Sequence, residues 1–361
     1  MTDTREQAPT TPPAADDPYD QRRLRSLDLL RGLAVAGMVV VNGEGNPTEK
    51  PPGVSHAVWD GLTPADLVFP TFLLVSGAAL GVALRRRPGV HAALTRRAAV
   101  LFGLGLLLNA LPWSGLADLR IMGVLQRIGL TTLLAAVVLL HLRTRYAVAL
   151  AAAVLLGYAT VLLVGGPAAR APSTNWPKAV DTALLGLSHL YSPTRGDPEG
   201  LASTPAAVVT VLLGAWAVRV LRRRGAGVAA LLGVGLLAAG GAVAIVVPPN
   251  KFLWTPSFAL LCAGTGVLLL AGLSALADSS VRRVVGKPWE ALGRNALVVY
   301  VGSELTIMAL RSTHLRDALY DAVFEPLGGP QGGSLLYALA VLLVWWVVCA
   351  VLWRRRTFVT V

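Results

Sequence analysis

The chain has 361 residues, of which 54% are hydrophobic and 14% are charged, and this composition is too apolar for an ordinary soluble domain. The formal net charge is +12, but the arginines form short clusters beside apolar stretches, which is typical of membrane topology signals rather than of a nucleic-acid-binding face. The two cysteines, Cys262 and Cys349, lie inside apolar stretches. We therefore expect no structural disulfide, no metal site and no nucleic-acid partner.

Residues 1–22 are rich in Pro, Thr, Ala and Asp, and we predict that they form a disordered cytoplasmic tail. Residues 23–361 are predicted to form one all-α domain, a polytopic helical bundle in the lipid bilayer, because an open sheet cannot satisfy its backbone in lipid. About ten transmembrane helices are expected, near residues 27–42, 66–84, 95–111, 121–141, 146–165, 203–221, 226–247, 254–274, 290–311 and 334–353.

Basic residues are concentrated in every second connection between the predicted helices. The main clusters are Arg22, Arg23, Arg25, Arg85, Arg86, Arg87, Arg143, Arg145, Arg222, Arg223, Arg224, Arg354, Arg355 and Arg356. Because cytoplasmic loops of membrane proteins carry an excess of Lys and Arg, both termini are predicted to be cytoplasmic. The expected location is a cell membrane, the plasma membrane of a bacterium.

The connection between the first two predicted helices contains several polar groups that suit chemistry. An imidazole such as that of His56 is suited to accept a proton from an amine or hydroxyl nucleophile, and Asp60 is a candidate to fix its tautomer. The simpler interpretation of His56 is a loop histidine that caps a turn or faces water. Asp66, at the start of the next helix, either faces a cavity or caps its own helix.

Further charges lie within or beside apolar stretches, where an ionisable group needs a partner. Arg127 stands about two turns into such a stretch, and either an anionic cofactor group or Glu304 would serve as its partner. Asp28 and Arg31 share one face of the first turn of the first predicted helix, because they are three residues apart.

Several stretches resemble the heparan-alpha-glucosaminide N-acetyltransferase family of transmembrane acetyltransferases and its bacterial members. In chain order they are RLRSLDLLRGLAVAGMVVVN, HAVWDGLTPADLVFPTFLLVSG, RIMGVLQRIGL, SHLYSPTRGDPEGLAST, NKFLWTPSFAL and LGRNALVVYVGSE. The resemblance implies an enzyme that moves the acetyl group of cytoplasmic acetyl-CoA to an amine, such as that of a glucosaminide, on the other side of the membrane. It places the active-site histidine of the family on His56 and an asparagine of the family on Asn42.

On this interpretation His56 acts as general base or as transient acetyl carrier. Asn42 would donate a hydrogen bond to the thioester oxygen. The other candidates are Asp60 and Asp66 in catalysis, Arg31, Arg127 and Asp28 at the CoA phosphates, and Trp59, Glu199 and Glu304 at the amino-sugar or glycan acceptor.

A transporter or flippase of a sugar or lipid-linked glycan, without acyl transfer, is the alternative function. Broken helices in two matching halves would favour it, and no such repeat is visible in the sequence. The release of a thiol from acetyl-CoA separates the two functions. The sequence leaves the acceptor and the oligomeric state open, and a homodimer is one of the open states.

Overall fold

The computed structural model describes residues 18–84, 86–111, 115–276 and 280–358, and these residues form helices and turns without a strand. The α-helices are α1 (Pro18–Asn42), α2 (Pro64–Ala83), α3 (Val90–Ala110), α4 (Val124–His141), α5 (Thr144–Val164), α6 (Trp176–Leu185), α7 (Thr204–Ala244), α8 (Pro256–Ala275), α9 (Ser280–Arg294), α10 (Ala296–Ser312), α11 (Leu315–Leu319) and α12 (Glu325–Arg354). A π-helical segment, Tyr320–Phe324, joins α11 to α12. The predicted all-α class is confirmed.

Seven helical segments within the described residues are long and apolar enough to cross a membrane. They are α2, α3, α4, α5, α7, α8 and the continuous segment Leu315–Arg354. Helix α7 has 41 residues, and Gly225 inside it has a φ of 84°, a left-handed conformation that divides the helix into two arms. Each arm has about 20 residues, the length of one crossing. Helix α7 therefore provides both of the spans predicted at 203–221 and 226–247.

Three predicted boundaries need correction. Helix α1 begins at Pro18, inside the segment predicted as a tail, and residues 1–17 lie outside the described residues. The single span predicted at 290–311 is divided at Asn295, between α9 and the 17-residue α10. The connection between the spans predicted at 290–311 and 334–353 is helical and bends at Gly329, whose φ is 67°.

Helix α2 packs against α1, α4, α7 and α8. Two glycines one turn apart allow a close approach to α7. A Cβ atom on Gly77 would lie 1.8 Å from the carbonyl oxygen of Val211, and one on Gly81 would lie 2.6 Å from that of Ala215. Because side chains at these positions would push the helices apart, the small residues fix where the first turn of α2 lies relative to α7.

The arginine clusters and the His56 loop lie at opposite ends of the bundle. Helix α2 runs from Pro64, close to His56 in sequence, to Ala83, and Arg86 and Arg87 follow it. The first arm of α7 runs the same way, from Thr204 to the arginines before Gly225. We call the end of the bundle with His56 the outer end and the arginine-rich end the inner end.

Candidate active site

His56 is held by a carboxylate in the first turn of α2. Its Nδ1 atom lies 2.8 Å from Oδ1 of Asp66. The carboxylate is almost fully buried, whereas the imidazole side chain is 37% exposed. Because a carboxylate on Nδ1 favours the tautomer with the proton on Nδ1, the lone pair of Nε2 points away from the carboxylate and is the basic position.

Asp66 also caps its own helix. Its Oδ2 atom accepts hydrogen bonds from the backbone N–H groups of Thr63 and Ala57, each at 3.1 Å. Thr63 is the N-cap residue and Pro64 follows it at the first helical position, as expected for a helix start. Of the two interpretations that the sequence left open, the structure shows the helix cap, since one oxygen of Asp66 caps α2, and the other oxygen contacts His56.

Asp60 does not contact the imidazole, so the expectation that it fixes the tautomer of His56 is corrected. Its Oδ1 accepts a hydrogen bond from Nδ2 of Asn250 at 3.0 Å, and the neighbouring Gly61 N–H donates to the carbonyl of Pro249 at 2.7 Å. Asp60 therefore joins the His56 loop to the turn between α7 and α8. A carboxylate four residues from a loop histidine faces a different segment here, because the loop turns between them.

The turn fastened by Asp60 carries Lys251, which the sequence analysis did not select. Its Nζ atom lies 3.1 Å from Nε2 and 3.3 Å from Nδ1 of His56, so the ammonium group stands beside the ring. Burial lowers the pKa of Lys251, and the nearby carboxylates of Glu199 and Asp66 oppose that shift. The sequence feature that could have indicated Lys251 is its place in a connection on the outer side, where basic residues are few.

His56 faces a cavity of 440 Å³ at the outer end, and we call it the outer cavity. Its polar lining includes Asn42, His56, Glu199, Lys251 and Glu304. Asn42 ends α1, and its Nδ2 donates to Oε1 of Glu304 at 2.8 Å. The structure thus brings together four residues that the sequence assigned to catalysis or to the acceptor: Asn42, His56, Glu199 and Glu304.

Arg120 closes one side of the outer cavity through two carboxylates from the connection between α6 and α7. Its Nη2 lies 2.7 Å from Oδ1 of Asp197 and 2.6 Å from Oε2 of Glu199. Burial alone would lower the pKa of Arg120, but these two anions raise it above its usual value. The long connection between the spans predicted at 146–165 and 203–221 is thereby packed onto the site.

A second cavity of 280 Å³ lies toward the inner end, and we call it the inner cavity. Its charged lining consists of Arg31, Arg97 and Arg294. The inner and outer cavities share three lining residues, Met38, Val124 and Tyr300. Arg31 is placed as the sequence predicted, with Asp28 beside it at 3.3 Å, whereas Arg97 and Arg294 were not selected.

Neither Arg127 nor Trp59 lines the outer or the inner cavity. Arg127 is fully buried, donates to the carbonyl of Gly200 at 2.6 Å and bonds to the hydroxyl of Ser203. It does not pair with Glu304, so one of its two expected partners is excluded. Trp59 donates to the carbonyl of Arg170 at 2.9 Å and lines a separate outer pocket with Asp60. We therefore do not assign Arg127 to CoA or Trp59 to the acceptor.

Residues 23–190 match the family described as "Heparan-alpha-glucosaminide N-acetyltransferase, catalytic". Two curated relatives carry the name heparan-alpha-glucosaminide N-acetyltransferase. The human protein is 28% identical over 359 residues and the mouse protein is 27% identical over 360 residues. Each alignment covers 78% of this chain and 53% of the relative, so the chain spans about half the length of the curated relatives that it matches.

The match to the catalytic family covers only part of the site. Asn42, His56 and Asp66 lie within the matched residues 23–190, whereas Lys251 and Glu304 lie beyond them. Lys251 reaches the outer cavity from the turn before α8, and Glu304 reaches it from α10. The site is therefore assembled from the matched domain together with the C-terminal helices.

Proposed function

We propose that this protein is a transmembrane acetyltransferase that moves the acetyl group of acetyl-CoA to an amine, with an amino sugar such as a glucosaminide as the first candidate acceptor. The observation that carries the proposal is the His56–Asp66 pair at the wall of a cavity. The names of the human and mouse relatives support the same reaction class.

The chemistry needs little beyond a positioned base, because a thioester is already activated. Nε2 of His56 takes a proton from the acceptor amine as its nitrogen bonds to the acetyl carbon. The carbon–sulfur bond then breaks, and the CoA thiolate receives the proton. Asn42 donates to the oxygen of the tetrahedral intermediate. In the alternative mechanism His56 carries the acetyl group. Nε2 then bonds to the acetyl carbon first, since Nδ1 is engaged by Asp66.

The inner cavity is our candidate route for the donor. Arg31, Arg97 and Arg294 suit the phosphates of CoA, because guanidinium groups bind phosphate oxygens in pairs. Met38, Val124 and Tyr300 line both cavities, so a pantetheine arm that passes them leads from the arginines toward His56. By the distribution of arginines, the inner end is cytoplasmic and the outer end is extracytoplasmic.

The outer cavity is our candidate site for the acceptor. Glu304 and Glu199 present carboxylates there, and an acceptor that arrives as an ammonium ion favours such partners. Asp60 contributes by fastening the His56 loop to the Lys251 turn.

The test uses the purified full-length protein in lipid nanodiscs with acetyl-CoA and glucosamine. We expect thiol release that depends on the amine, together with N-acetylglucosamine detected by mass spectrometry. The His56→Ala variant is expected to lose about 10²–10⁴-fold in rate, the usual contribution of a general base. His91→Ala is the matched control, because His91 is an exposed histidine at the start of α3.

Two results would contradict the proposal. One is an active His56→Ala protein whose transfer rate equals that of the wild type. The other is uptake of a sugar into vesicles without thiol release, which would favour the transporter.

A further inference from the structure

A further cavity of 610 Å³ lies at the inner end, between the last turn of α2 and the first turns of α3, and we call it the arginine groove. Its charged lining consists of Arg87, Arg96 and Arg97, and its other lining residues are apolar, with Leu80 and Val100 among them. None of the described residues that line the groove is acidic, and the ion pairs between described residues do not include these three arginines. The groove therefore carries positive charge that no carboxylate of its own wall neutralises.

The charged and the apolar residues of the groove lie at different depths. Helix α2 runs toward the inner end, so Leu80 lies farther from that end than Arg87, which follows the helix. Helix α3 runs back toward the outer cavity, which Asn109 lines, so Val100 lies deeper than Arg96 by about one turn. A phospholipid has the same order, because its charged headgroup lies at the membrane surface and its acyl chains point toward the centre.

The groove is open to the side of the bundle that other helices leave uncovered. Within the apolar stretch of α3 only 17% of the residues are buried, whereas 61% are buried in that of α2. Val100, on the wall of the groove, is 46% exposed. In a bilayer this face of α3 lies against lipid, so a ligand of the groove can enter from the membrane itself.

We propose that the arginine groove binds one anionic phospholipid of the leaflet at the inner end, with its phosphate among the arginines and its acyl chains along the apolar wall. Guanidinium groups are preferred partners of phosphate oxygens, and basic pockets between membrane helices on the cytoplasmic side bind anionic headgroups. A headgroup with net negative charge is favoured over a zwitterionic one, because the wall offers no carboxylate to an ammonium group. The inference concerns a lipid and does not depend on acetyl transfer.

The experiment measures lipid binding to the purified full-length protein in a neutral detergent. Phosphatidylglycerol and phosphatidylcholine with the same acyl chains are titrated separately, and bound lipids are counted by native mass spectrometry. The groove variant combines Arg87→Gln with Arg96→Gln and keeps Arg97, which also lines the inner cavity. The control variant combines Arg143→Gln with Arg145→Gln, because these are two exposed arginines of the same end, at the start of α5.

We expect the wild type to bind one phosphatidylglycerol molecule with a Kd about tenfold lower than that for phosphatidylcholine. The groove variant should lose about thirtyfold in affinity for phosphatidylglycerol, since each arginine near the membrane surface contributes about fivefold. The control variant should bind as the wild type does. Glycerol 3-phosphate should not displace the lipid, because it has no acyl chains to contact the apolar wall.

A second measurement needs no variant and therefore does not depend on the folding of one. Phosphatidylglycerol should raise the Tm of the wild type more than phosphatidylcholine does, because a ligand that binds the folded state stabilises it. The difference between the two lipids should shrink as sodium chloride is raised, since salt screens exposed charges. An equal rise in Tm with both lipids would contradict a site for an anionic headgroup.

Three binding results would overturn the proposal. Equal losses of affinity in the groove and control variants would show a general attraction of lipid to a basic surface. Displacement of phosphatidylglycerol by glycerol 3-phosphate would show a site for a soluble phosphate. A groove variant that keeps its affinity for phosphatidylglycerol but needs about tenfold more acetyl-CoA for half-maximal thiol release would assign the groove to the nucleotide end of CoA.

Discussion

The outer and inner cavities differ in how their charges are arranged. Acids and bases are mixed in the outer cavity, where His56, Lys251 and Arg120 lie among Glu199 and Glu304. The charged side chains of the inner cavity are three arginines, and none of the described residues that line it is acidic. Mixed charge suits proton transfer to and from an amine, whereas one sign of charge suits the binding of phosphates.

We have proposed that the outer cavity binds the acceptor and the inner cavity binds acetyl-CoA, and steady-state kinetics can test this assignment. Variants of the outer cavity should change the rate of transfer or the KM of the acceptor. Variants of the inner cavity should change the KM of acetyl-CoA. If the two sets of variants gave the same pattern, the assignment of one cavity to each substrate would be wrong.

The largest effect after that of His56 itself is expected for Asp66→Asn. The amide keeps the size of the side chain but removes the negative charge that orients the imidazole. We expect kcat to fall about 10²-fold, because the wrong tautomer is then accessible, while the KM of acetyl-CoA stays near wild type. Steady-state thiol release measures both constants. An unchanged kcat would show that the His56–Asp66 contact has no part in the chemistry.

The next effect concerns the inner cavity. Arg97→Ala removes one of its three guanidinium groups, and the KM of acetyl-CoA should rise about tenfold with little change in kcat, as for the loss of one charge-assisted hydrogen bond. Arg145→Ala is the control, because Arg145 is exposed and bonds to the hydroxyl of Tyr146. A larger change in the KM of the acceptor than in that of acetyl-CoA would reverse the assignment of the two cavities.

A smaller effect is expected for Glu304, which we propose to bind the acceptor. Glu304→Gln keeps an oxygen for the Nδ2 group of Asn42 but removes the charge. The KM of glucosamine should rise about threefold to tenfold, the range for a partly solvated ion pair, and the KM of acetyl-CoA should not change. Varying each substrate in turn at saturating levels of the other separates the two constants.

The smallest effect concerns stability. Asp181 in α6 is fully buried, and its Oδ1 accepts from the N–H of Ala202 at 2.8 Å. Burial, reinforced by Asp197, raises the pKa of Asp181 to about 6. Because the folded state binds this proton more tightly than the unfolded state, the contribution of Asp181 to stability is full below about pH 4 and is lost as the pH rises through 6.

Asp181→Asn should therefore reduce the dependence of Tm on pH between 4 and 7 and raise stability at pH 7 by about 1 kcal/mol. Thermal unfolding of the purified protein across that pH range measures the change. Asp118→Asn, at an exposed carboxylate, is the control and should leave the profile unchanged. If Tm depended on pH in the same way in Asp181→Asn and in the wild type, Asp181 would not contribute to the pH dependence of stability.

Much of the fold was predictable from the sequence because apolar length is a local property. All ten predicted spans fall on helices, and the arginine clusters separate from the His56 loop as the positive-inside rule requires. The boundaries around Asn295 and Gly329 were not predictable, since a helix that bends at a single residue has almost the same composition as one that continues.

The candidate site was predictable only in part. His56 and Asn42 were chosen through motifs that resemble a family, and the structure brings both to the outer cavity. The carboxylate partner was chosen by sequence proximity as Asp60, whereas the partner in space is Asp66. A loop of more than 20 residues turns back on itself, so distance along the chain says little about distance in space.

By itself, the sequence determined that this is a helical membrane protein, which end of the bundle carries the positive charge, and which loop holds the candidate histidine. These follow from hydropathy and charge, which each stretch of chain carries independently of the others. Only the tertiary structure decided that Lys251 meets that loop, that Glu304 lines the same cavity, and that three separated arginines share another cavity. Such groupings depend on how α1, α2, α8 and α10 pack, because helix packing is fixed by surfaces distant in sequence.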